Sequence, residues 1–245
     1  MEGLGNDFIV VKGPIDIQPN QVKSYCDRSS GIGADGFIVV SSIDDKSARM
    51  RYWNSDGSSA EMCGNGLRCV ALFVVENSLV KPGAFVIKTD AGDLKVVWDG
   101  KNPNKIEAQV GKVTVSKKVL GLYGLDFYSA NAGNPHAVTF VEDLDITPIK
   151  DIGAKVETNE NFPNKTNVEF VQIISENQIK IRIWERGVGE TLACGTGMIA
   201  SVATALKLGK IHTSTTVEVP GGVALVTLDD DNFFRIIGPA KNIVS

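Results

Sequence analysis

The chain is poor in the residues that mark disulfide-bonded, membrane-spanning or nucleic-acid-binding proteins. Its 245 residues include only four cysteines, whereas a disulfide scaffold is shorter and much richer in cysteine. The longest unbroken apolar run is Cys69–Val75, far below the roughly 20 residues that cross a bilayer. Lysine and arginine (25) are outnumbered by aspartate and glutamate (29), which disfavours a nucleic-acid partner.

Metal binding and secretion also lack sequence support. Only Cys63 and Cys69 lie near each other, and the two histidines, His136 and His212, do not form a pair with metal-ligand spacing. No positively charged segment followed by an apolar segment opens the chain, which favours a cytoplasmic location. The sequence therefore predicts a cytoplasmic protein with no metal site, no membrane contact and no nucleic-acid partner.

The chain is long enough for two domains and is dominated by strand-like segments. Hydrophobic residues make up 43% and charged residues 22%, as in average soluble globular proteins. Short β-branched or aromatic segments bounded by turn residues predict strands at Phe8–Val11, Gly36–Val40, Arg49–Trp53, Ala84–Lys88, Asp93–Trp98, Ala137–Val141, Asn167–Ile174, Ile179–Trp184, Thr215–Val219, Ala224–Leu228 and Phe233–Ile237. Helices are predicted at Gln18–Cys26, Gly66–Asn77, Pro148–Lys155 and Thr196–Leu208.

An internal repeat is the most informative structural feature. At a shift of 131 residues, Met50–Leu67 falls on Ile181–Met198 without a gap, with five identities in 18 positions that include a tryptophan and a cysteine. Chance similarity between two β-rich segments is the alternative, but a gapless match at rare residues favours duplication.

Duplication predicts the fold and the place of the active site. We expect an α+β protein of two pseudo-symmetric domains, each a mostly antiparallel, β-barrel-like sheet around a central helix. The predicted domains are residues 1–112 and 113–238, and the tail, 239–245, is expected to return to the N-terminal domain. Equivalent residues would then meet across a cleft between the domains, where we expect the active site.

Each half carries a Cys-Gly-x-Gly sequence just before a predicted long helix, at Cys63–Gly66 and Cys194–Gly197. A thiol at a helix N-terminus lies at the positive end of the helix dipole, so its pKa is expected to fall towards neutrality. The N–H groups of the same turn form an anion site. One such turn is more simply a buried structural cysteine, but two symmetry-related copies favour a functional interpretation.

Two thiols on opposite faces of a bound anion suit racemisation or epimerisation beside a carboxylate. One thiolate removes the proton from the α-carbon, and the other thiol returns a proton to the opposite face. The backbone N–H groups would stabilise the charge that develops on the carboxylate. A disulfide oxidoreductase would more often carry Cys-x-x-Cys, which the sequence lacks.

Several long motifs resemble those of the diaminopimelate epimerase family, and the resemblance runs from Gly3 to Pro239. The motifs are Gly3–Phe8, Asp27–Gly36, Asn54–Cys69, Gly133–His136 and Trp184–Gly197. The resemblance implies an isomerase, independent of pyridoxal phosphate or any other cofactor, that interconverts LL- and meso-2,6-diaminopimelate. It further implies a role in lysine and peptidoglycan precursor biosynthesis, a small amino-acid substrate and a homodimer.

The same resemblance suggests roles for individual residues. Cys63 and Cys194 would be the acid/base pair, and His136 and Glu185 would tune the two thiols. The cradle for the reacting carboxylate would be Gly64, Asn65, Gly195 and Thr196. The other substrate-binding residues would be Asn6, Asn54, Asn134, Asn167, Glu185 and Arg186, with the guanidinium suited to a second carboxylate. Cys26 and Cys69 are predicted to be core thiols.

Other interpretations stay open from the sequence alone. Asn6 and Asn54 lie in turn sequences where asparagine is common for backbone reasons, and His136 fits a buried structural histidine. At the level of function, the alternatives are a cofactor-independent racemase for another amino acid and a non-catalytic carboxylate-binding protein. A third alternative is a thiol redox sensor that forms a Cys63–Cys194 disulfide.

Overall fold

The computed structural model describes residues 1–243 and divides into two compact units. The N-terminal unit contains Met1–Gln109 and the chain from Ile237 onward, and the C-terminal unit contains Val110–Ile236. Of the tail 239–245, for which a return to the N-terminal domain is predicted, residues 244 and 245 lie outside the described part. In the described part, Ala240 lies in the core of the N-terminal unit and Lys241 forms a β-bridge with Glu2.

The first part of the chain, up to residue 111, forms eight strands and two helices. They are β1 (Glu2–Gly3), β2 (Asn6–Lys12), α1 (Pro19–Cys26), β3 (Gly36–Asp44), β4 (Ser47–Asn54), β5 (Ser59–Ala60), α2 (Gly64–Glu76), β6 (Gly83–Thr89), β7 (Gly92–Trp98) and β8 (Ile106–Gly111).

The following part, up to residue 238, repeats this style with nine strands and two helices. They are β9 (Thr114–Leu122), β10 (Leu125–Asn131), β11 (Pro135–Phe140), α3 (Ile149–Glu157), β12 (Asn167–Ser175), β13 (Gln178–Glu185), β14 (Gly189–Thr191), α4 (Gly195–Lys207), β15 (Ser214–Val219), β16 (Gly222–Leu228) and β17 (Phe234–Gly238).

The element bounds follow the internal repeat closely. The strands β3 and β4 and the helix α2 have the same lengths as β12, β13 and α4, and their residue numbers differ by 131 at both ends. In both units most strand pairings are antiparallel, and the parallel exceptions fall in equivalent places, β2–β3 with β4–β6 and β11–β12 with β13–β15. The predicted α+β fold of two similar, mostly antiparallel halves is confirmed.

Each unit is built around one buried helix. Ten of the thirteen residues of α2 are buried, and so are ten of the thirteen residues of α4. The apolar residues of α2 pack with those of β3, β4, β6 and β7 in one core. A helix that is apolar on nearly every side is stable only when it is covered on every side. The strands that cover each helix therefore hold it in place, and with it the N-terminal turn that follows each cysteine.

The predicted helix starts at Gly66 and Thr196 are wrong by two residues and one residue, because the glycines belong to the first helical turn. Glycine accepts helical backbone angles, so the cysteine itself becomes the capping residue. Six strands were not predicted, namely β1, β5, β8, β9, β10 and β14. The long strand β9 is mostly exposed and carries Ser116, Lys117 and Lys118 in its middle, so it lacks the apolar pattern of a strand. No helix within residues 1–243 has the length and apolar character needed to span a membrane.

Candidate active site

Cys63 and Cys194 occupy the same backbone position in their two units. Each is the N-cap residue of a thirteen-residue helix, Cys63 with φ −137° and ψ 121° and Cys194 with φ −136° and ψ 119°. Both side chains are partly exposed. The first-turn N–H groups of a helix have no partner within the helix, so each thiol lies beside a potential anion cradle at Gly64–Asn65 or Gly195–Thr196.

The two sulfur atoms differ in their hydrogen-bond partners. Cys63 Sγ accepts a hydrogen bond from the backbone N–H of Gly66 at 3.4 Å. Cys194 Sγ lies 3.4 Å from the hydroxyl oxygen of Thr196, where either atom can donate, and the backbone N–H of Gly197 also acts on it. An acceptor role at a helix N-terminus favours a negative sulfur atom at either cysteine, so the charges around each helix start decide between the two thiols.

A buried cation lies beside the first turn of α2. The Arg68 side chain is fully buried and donates to the carbonyl oxygen of Gly64 at 3.3 Å, to Asn65 Oδ1 at 2.8 Å and to the carbonyl oxygen of Pro239 at 3.3 Å. These acceptors are neutral oxygen atoms. The guanidinium therefore adds positive potential to the end of the helix that Cys63 caps.

Two of the predicted substrate ligands in the N-terminal unit form one network. Asn65 Nδ2 donates to Asn6 Oδ1 at 2.6 Å, and Asn6 Nδ2 donates to Asp35 Oδ2 at 3.1 Å. The other oxygen of Asp35 binds Arg28 at 2.7 Å. The network holds Asn6 against the start of α2, whereas Asn54 bonds to Ser58 Oγ at 3.0 Å and takes no part in it.

The surroundings of Cys194 favour the protonated thiol. Burial raises the pKa of Cys194 well above its usual value, and the charge on Glu185 and, to a smaller extent, that on Glu169 raise it further. The expected lowering of this pKa by the helix dipole is therefore wrong for Cys194, because desolvation and two nearby carboxyl groups outweigh the dipole. Burial also raises the pKa of Glu185, against a hydrogen bond of 2.6 Å from Thr191.

His136 belongs to a buried hydrogen-bonded chain in the C-terminal unit. His136 Nδ1 lies 2.7 Å from Glu169 Oε1, and His136 Nε2 lies 2.9 Å from Asn134 Oδ1. The side chains of His136 and Glu169 have no exposed surface. The structure thus brings together the predicted residues Asn134 and His136 and adds a carboxyl group that sequence reasoning missed.

Asn167 and Arg186 are joined through the backbone. Asn167 Oδ1 accepts from the backbone N–H of Arg186 at 2.9 Å, and Asn167 Nδ2 donates to the carbonyl oxygen of Pro135 at 3.0 Å. The Arg186 side chain donates to the carbonyl oxygen of Asn164 at 3.1 Å and is otherwise exposed. Asn167 therefore fixes the loop that carries Arg186, whose charge faces solvent.

A cavity of about 470 Å³ opens in the C-terminal unit beside these residues. Its lining includes Asn131, Pro135, His136, Asn164 and Lys165. Pro135 and Asn164 are the residues whose carbonyl oxygens accept from the side chains of Asn167 and Arg186. Over residues 1–243, no group of three or more His, Cys, Asp or Glu side chains is placed to hold a metal ion.

The two remaining cysteines are core residues, as predicted. Cys26 is 3% exposed and Cys69 is fully buried. Burial raises the pKa of Cys26 to about 11 and that of Cys69 to about 12, so neither is a reactive thiol near neutral pH.

Sequence reasoning missed two buried ionisable residues, Glu169 and Arg68. Both interrupt apolar stretches, since Glu169 is the only charged residue in the predicted strand Asn167–Ile174 and Arg68 lies in the middle of a helix of apolar residues. A charged residue at a core position is rarely placed there without a partner or a function. That interruption is the signal that could have identified them.

Comparison with known proteins agrees with the resemblance. The family model described as diaminopimelate epimerase matches residues 1–116 and 128–241. A curated diaminopimelate epimerase from Teredinibacter turnerae is 38% identical over 262 residues, which cover 99% of this chain and 95% of that protein. One from Methanococcus maripaludis is 35% identical over 266 residues, with 99% and 96% covered.

Solved structures show the same fold at low sequence identity. A hydroxyproline epimerase from Agrobacterium vitis superposes with a TM-score of 0.74 at 15% identity, over 99% of this chain and 89% of that one. A phenazine biosynthesis protein of the PhzF family from Bacillus anthracis gives 0.73 at 18% identity, over 98% and 92%. Taken with the full-length sequence matches, the chain belongs to the diaminopimelate epimerase family, whose curated members are isomerases.

Proposed function

We propose that the chain interconverts LL- and meso-2,6-diaminopimelate by proton transfer at Cα, with Cys63 and Cys194 as the acid/base pair. The observation that carries the proposal is that both thiols are N-cap residues of equivalent helices with matching backbone angles. Relatives at 35–38% identity over nearly the full chain carry the name of this activity. The duplicated position supplies two equivalent thiols, which is what two-base chemistry at one carbon requires.

The proposed step moves one proton in and one proton out. The Cys63 thiolate takes the Cα proton, and the electron pair of the broken C–H bond is delocalised into the neighbouring carboxylate. The Cys194 thiol then gives its proton to the opposite face of Cα. Cys63 leaves the step as a thiol and Cys194 as a thiolate, and the reverse reaction restores the starting states.

The resting enzyme in this proposal carries the thiolate at Cys63 and the thiol at Cys194. The positive end of α2 and the buried guanidinium of Arg68 both favour a negative Cys63. Burial and the carboxyl groups of Glu185 and Glu169 favour a protonated Cys194. The duplicated backbone is symmetric, and the charges around it are not.

The reacting carboxylate is proposed to bind the first-turn N–H groups at Gly64–Asn65 and Gly195–Thr196. Backbone donors at helix N-termini are already oriented, so they stabilise the developing charge without reorganisation. Among the described groups, the exposed guanidinium of Arg186 suits the second carboxylate of a dicarboxylic amino acid by forked hydrogen bonds. Its backbone is held by Asn167.

The other polar residues complete the proposed site. Asn6 is held by Asp35 and Asn65, and Asn54 and Asn134 are partly exposed; all three are proposed to bind the substrate. His136 and Glu185 are proposed to tune the thiols. The reaction needs no cofactor in this scheme, and a cytoplasmic location, a homodimer and a role in lysine and peptidoglycan precursor synthesis stay predictions.

Turnover of single cysteine variants tests the proposal. Purified, reduced protein is expected to convert LL- to meso-diaminopimelate with no cofactor added. Cys63→Ser and Cys194→Ser should each lower kcat by about 10²-fold or more, because a hydroxyl is a far weaker acid than a thiol, so it does not ionise to a base near neutral pH and donates a proton poorly. The control is Cys26→Ser, since Cys26 is the last residue of α1 and belongs to a separate buried apolar cluster. Near wild-type turnover in either active-site variant would contradict the two-thiol mechanism. Conversion of another amino acid, with no conversion of diaminopimelate, would contradict the proposed substrate.

A further inference from the structure

The turn that carries Arg186, residues 186–188 after β13 and here called the Arg186 turn, is held by side chains from two different elements. Asn167, the first residue of β12, accepts from the backbone N–H of Arg186 at 2.9 Å. Glu157, the last residue of α3, accepts from the backbone N–H of Gly187 on Oε1 at 3.0 Å. These N–H groups belong to the two peptide planes that flank the Cα atom of Arg186. Because φ and ψ are the only soft backbone dihedrals of a residue, the two side chains together fix the backbone conformation of Arg186.

Both oxygen atoms of Glu157 bind at or beside the Arg186 turn. Glu157 Oε2 accepts from Trp184 Nε1 at 2.8 Å, and Trp184 lies on β13, the strand that leads into the turn. Glu157 Oε1 also accepts from the half-exposed ammonium group of Lys165 at 3.3 Å. One residue before Lys165, the carbonyl oxygen of Asn164 accepts from the guanidinium of Arg186 at 3.1 Å. The end of α3 and the segment after it therefore hold both the backbone and the side chain of Arg186.

The position of Glu157 is unfavourable for a carboxylate that has no specific partners. The residue is 7% exposed, and the negative end of a helix dipole lies at the C-terminus, where Glu157 ends α3. Burial opposes ionisation of Glu157, but hydrogen bonds from Trp184, Gly187 and Lys165 hold its pKa below the usual value. The donors of the Arg186 turn and of its strand therefore stabilise the charge that in turn fixes them.

The N-terminal unit shows that the fold does not require a carboxylate at this position. The helices α1 and α3 end at Cys26 and Glu157, whose residue numbers differ by 131, the shift of the internal repeat. Cys26 is 3% exposed and belongs to an apolar cluster. At the same shift Arg186 corresponds to Ser55, which carries no charge. The carboxylate thus occurs in the unit whose turn carries the arginine, so packing of the helix end does not explain it.

We propose that Glu157 is a positioning residue for recognition of the second carboxylate of the substrate, because it holds the Arg186 turn in the conformation that presents the guanidinium. The inference rests on the proposed function, in which Arg186 binds the far end of a dicarboxylic amino acid. A guanidinium on a flexible turn loses conformational entropy when it binds a ligand, and a turn that is already ordered removes that loss. Glu157 touches no substrate in this scheme and acts only through Arg186.

Hydrogen exchange tests the structural part of the proposal without any substrate. Glu157→Gln keeps the size of the side chain, but its amide has one acceptor oxygen and cannot accept from both Trp184 and Gly187. Backbone exchange in a peptide covering residues 184–189 should become about tenfold faster. The matched control is Glu160→Gln, the same substitution three residues later at an exposed position, which should leave the exchange unchanged. Circular dichroism spectra check that both variants are folded.

A double-mutant cycle with Arg186→Met tests whether Glu157 acts through Arg186. Arg186 is exposed, so this variant is expected to fold. Contacts with a remote carboxylate act equally on the bound substrate and on the transition state, so their loss raises KM and leaves kcat nearly unchanged. Glu157→Gln should therefore raise KM for diaminopimelate about tenfold, with kcat within about threefold of the wild type. When Arg186→Met is already present, Glu157→Gln should change KM by less than about twofold.

A second variant keeps the test decisive if Glu157→Gln folds poorly. Glu157→Asp retains the charge but shortens the side chain by one methylene group, so it cannot reach both donors and should change exchange and KM in the same direction. Faster exchange in residues 184–189 together with a non-additive rise in KM supports the inference.

Two results would overturn the inference. One is unchanged exchange in residues 184–189 of the folded Glu157 variants. The other is an equally large rise in KM with and without Arg186, because Glu157 would then support the unit in general and not the Arg186 turn. If Arg186→Met leaves KM unchanged, or if no diaminopimelate is converted, the proposed function fails, and the exchange result still decides whether Glu157 holds the turn.

Discussion

Replacing Gly197 with alanine should destabilise the chain, whereas the same change at Gly66 should not. Both glycines are the third residue of their helix; alanine is favoured over glycine by up to about 1 kcal/mol in a helix interior, so the gain is at most this large and similar in the two variants. At Gly66 the new methyl group would meet the flexible ends of Ile38 at 3.0 Å and Met50 at 3.3 Å. Those ends can move by a few tenths of an ångström, so we expect a net change within about 1 kcal/mol.

At Gly197 the new methyl group meets the carboxyl group of Glu169, with Oε1 at 2.9 Å and Cγ at 3.4 Å. Glu169 is held by its 2.7 Å hydrogen bond to His136, so it can move only by lengthening that bond. Loss of a charge-assisted hydrogen bond costs about 1.5–3 kcal/mol, which exceeds the helix gain and leaves a net loss of about 0.5–2 kcal/mol when the full helix gain of about 1 kcal/mol is subtracted.

Denaturant unfolding of the two variants against wild type, combined with nitrogen NMR of protein labelled only at its two histidines, tests this reasoning. We expect Gly197→Ala to unfold at lower denaturant and to alter the His136 signals, and Gly66→Ala to change neither substantially. Equal destabilisation of the two variants, or an unchanged His136 spectrum in Gly197→Ala, would refute the claim that Glu169 is fixed in place by His136.

Three further predictions follow from charges and thiols. Arg68→Met should slow alkylation of Cys63 at pH 7–8 by removing the buried cation, and Arg68→Lys should restore much of the rate, as measured by mass spectrometry of the labelled thiol. Mild oxidant should inactivate the enzyme reversibly by joining Cys63 to Cys194, and activity that survives oxidant would count against facing thiols. Burial opposes ionisation of Asp7, but hydrogen bonds from Arg28 and nearby backbone hold its pKa below the usual value. The contribution of Asp7 to stability is therefore present above pH about 4 and is lost as the pH falls through the lowered pKa. The melting temperature of Arg28→Gln should differ from that of the wild type at pH 7 and converge with it near pH 2.

The repeat allowed much of the fold to be predicted from sequence. The strand β4 and the helix α2 carry the tryptophan, cysteine and glycines that match β13 and α4, so their duplication was visible without a structure. The strand β9 was not visible, because its exposed serine and lysine residues give no period-two pattern. The predicted starts of α2 and α4 were too late because glycine in a sequence indicates a turn, even where it forms the first helical turn.

The motif residues of the candidate site could be predicted from the sequence, but the residues that contact them could not. Cys63, Cys194 and His136 stand in recognisable sequences, whereas Glu169 and Arg68 act through contacts that only the folded chain makes. The pKa of Cys194 could not be read from its helix position, since the outcome depends on burial and on the two carboxyl groups around it. The sequence motif indicates the helix start to within two residues, and tertiary packing decides which charge is favoured there.

The most direct test of the two-thiol account is the origin of the hydrogen at Cα of the product. Wild-type protein would be incubated with LL-diaminopimelate in D₂O without added cofactor, and the separated isomers analysed by mass spectrometry at a few per cent conversion. Because the thiol that donates the new proton has already exchanged with solvent, the account predicts one deuterium at the inverted Cα of the meso product and none in the recovered LL substrate. Meso product that retains the substrate's own hydrogen at that carbon would show that a single base serves both faces, and would contradict the account.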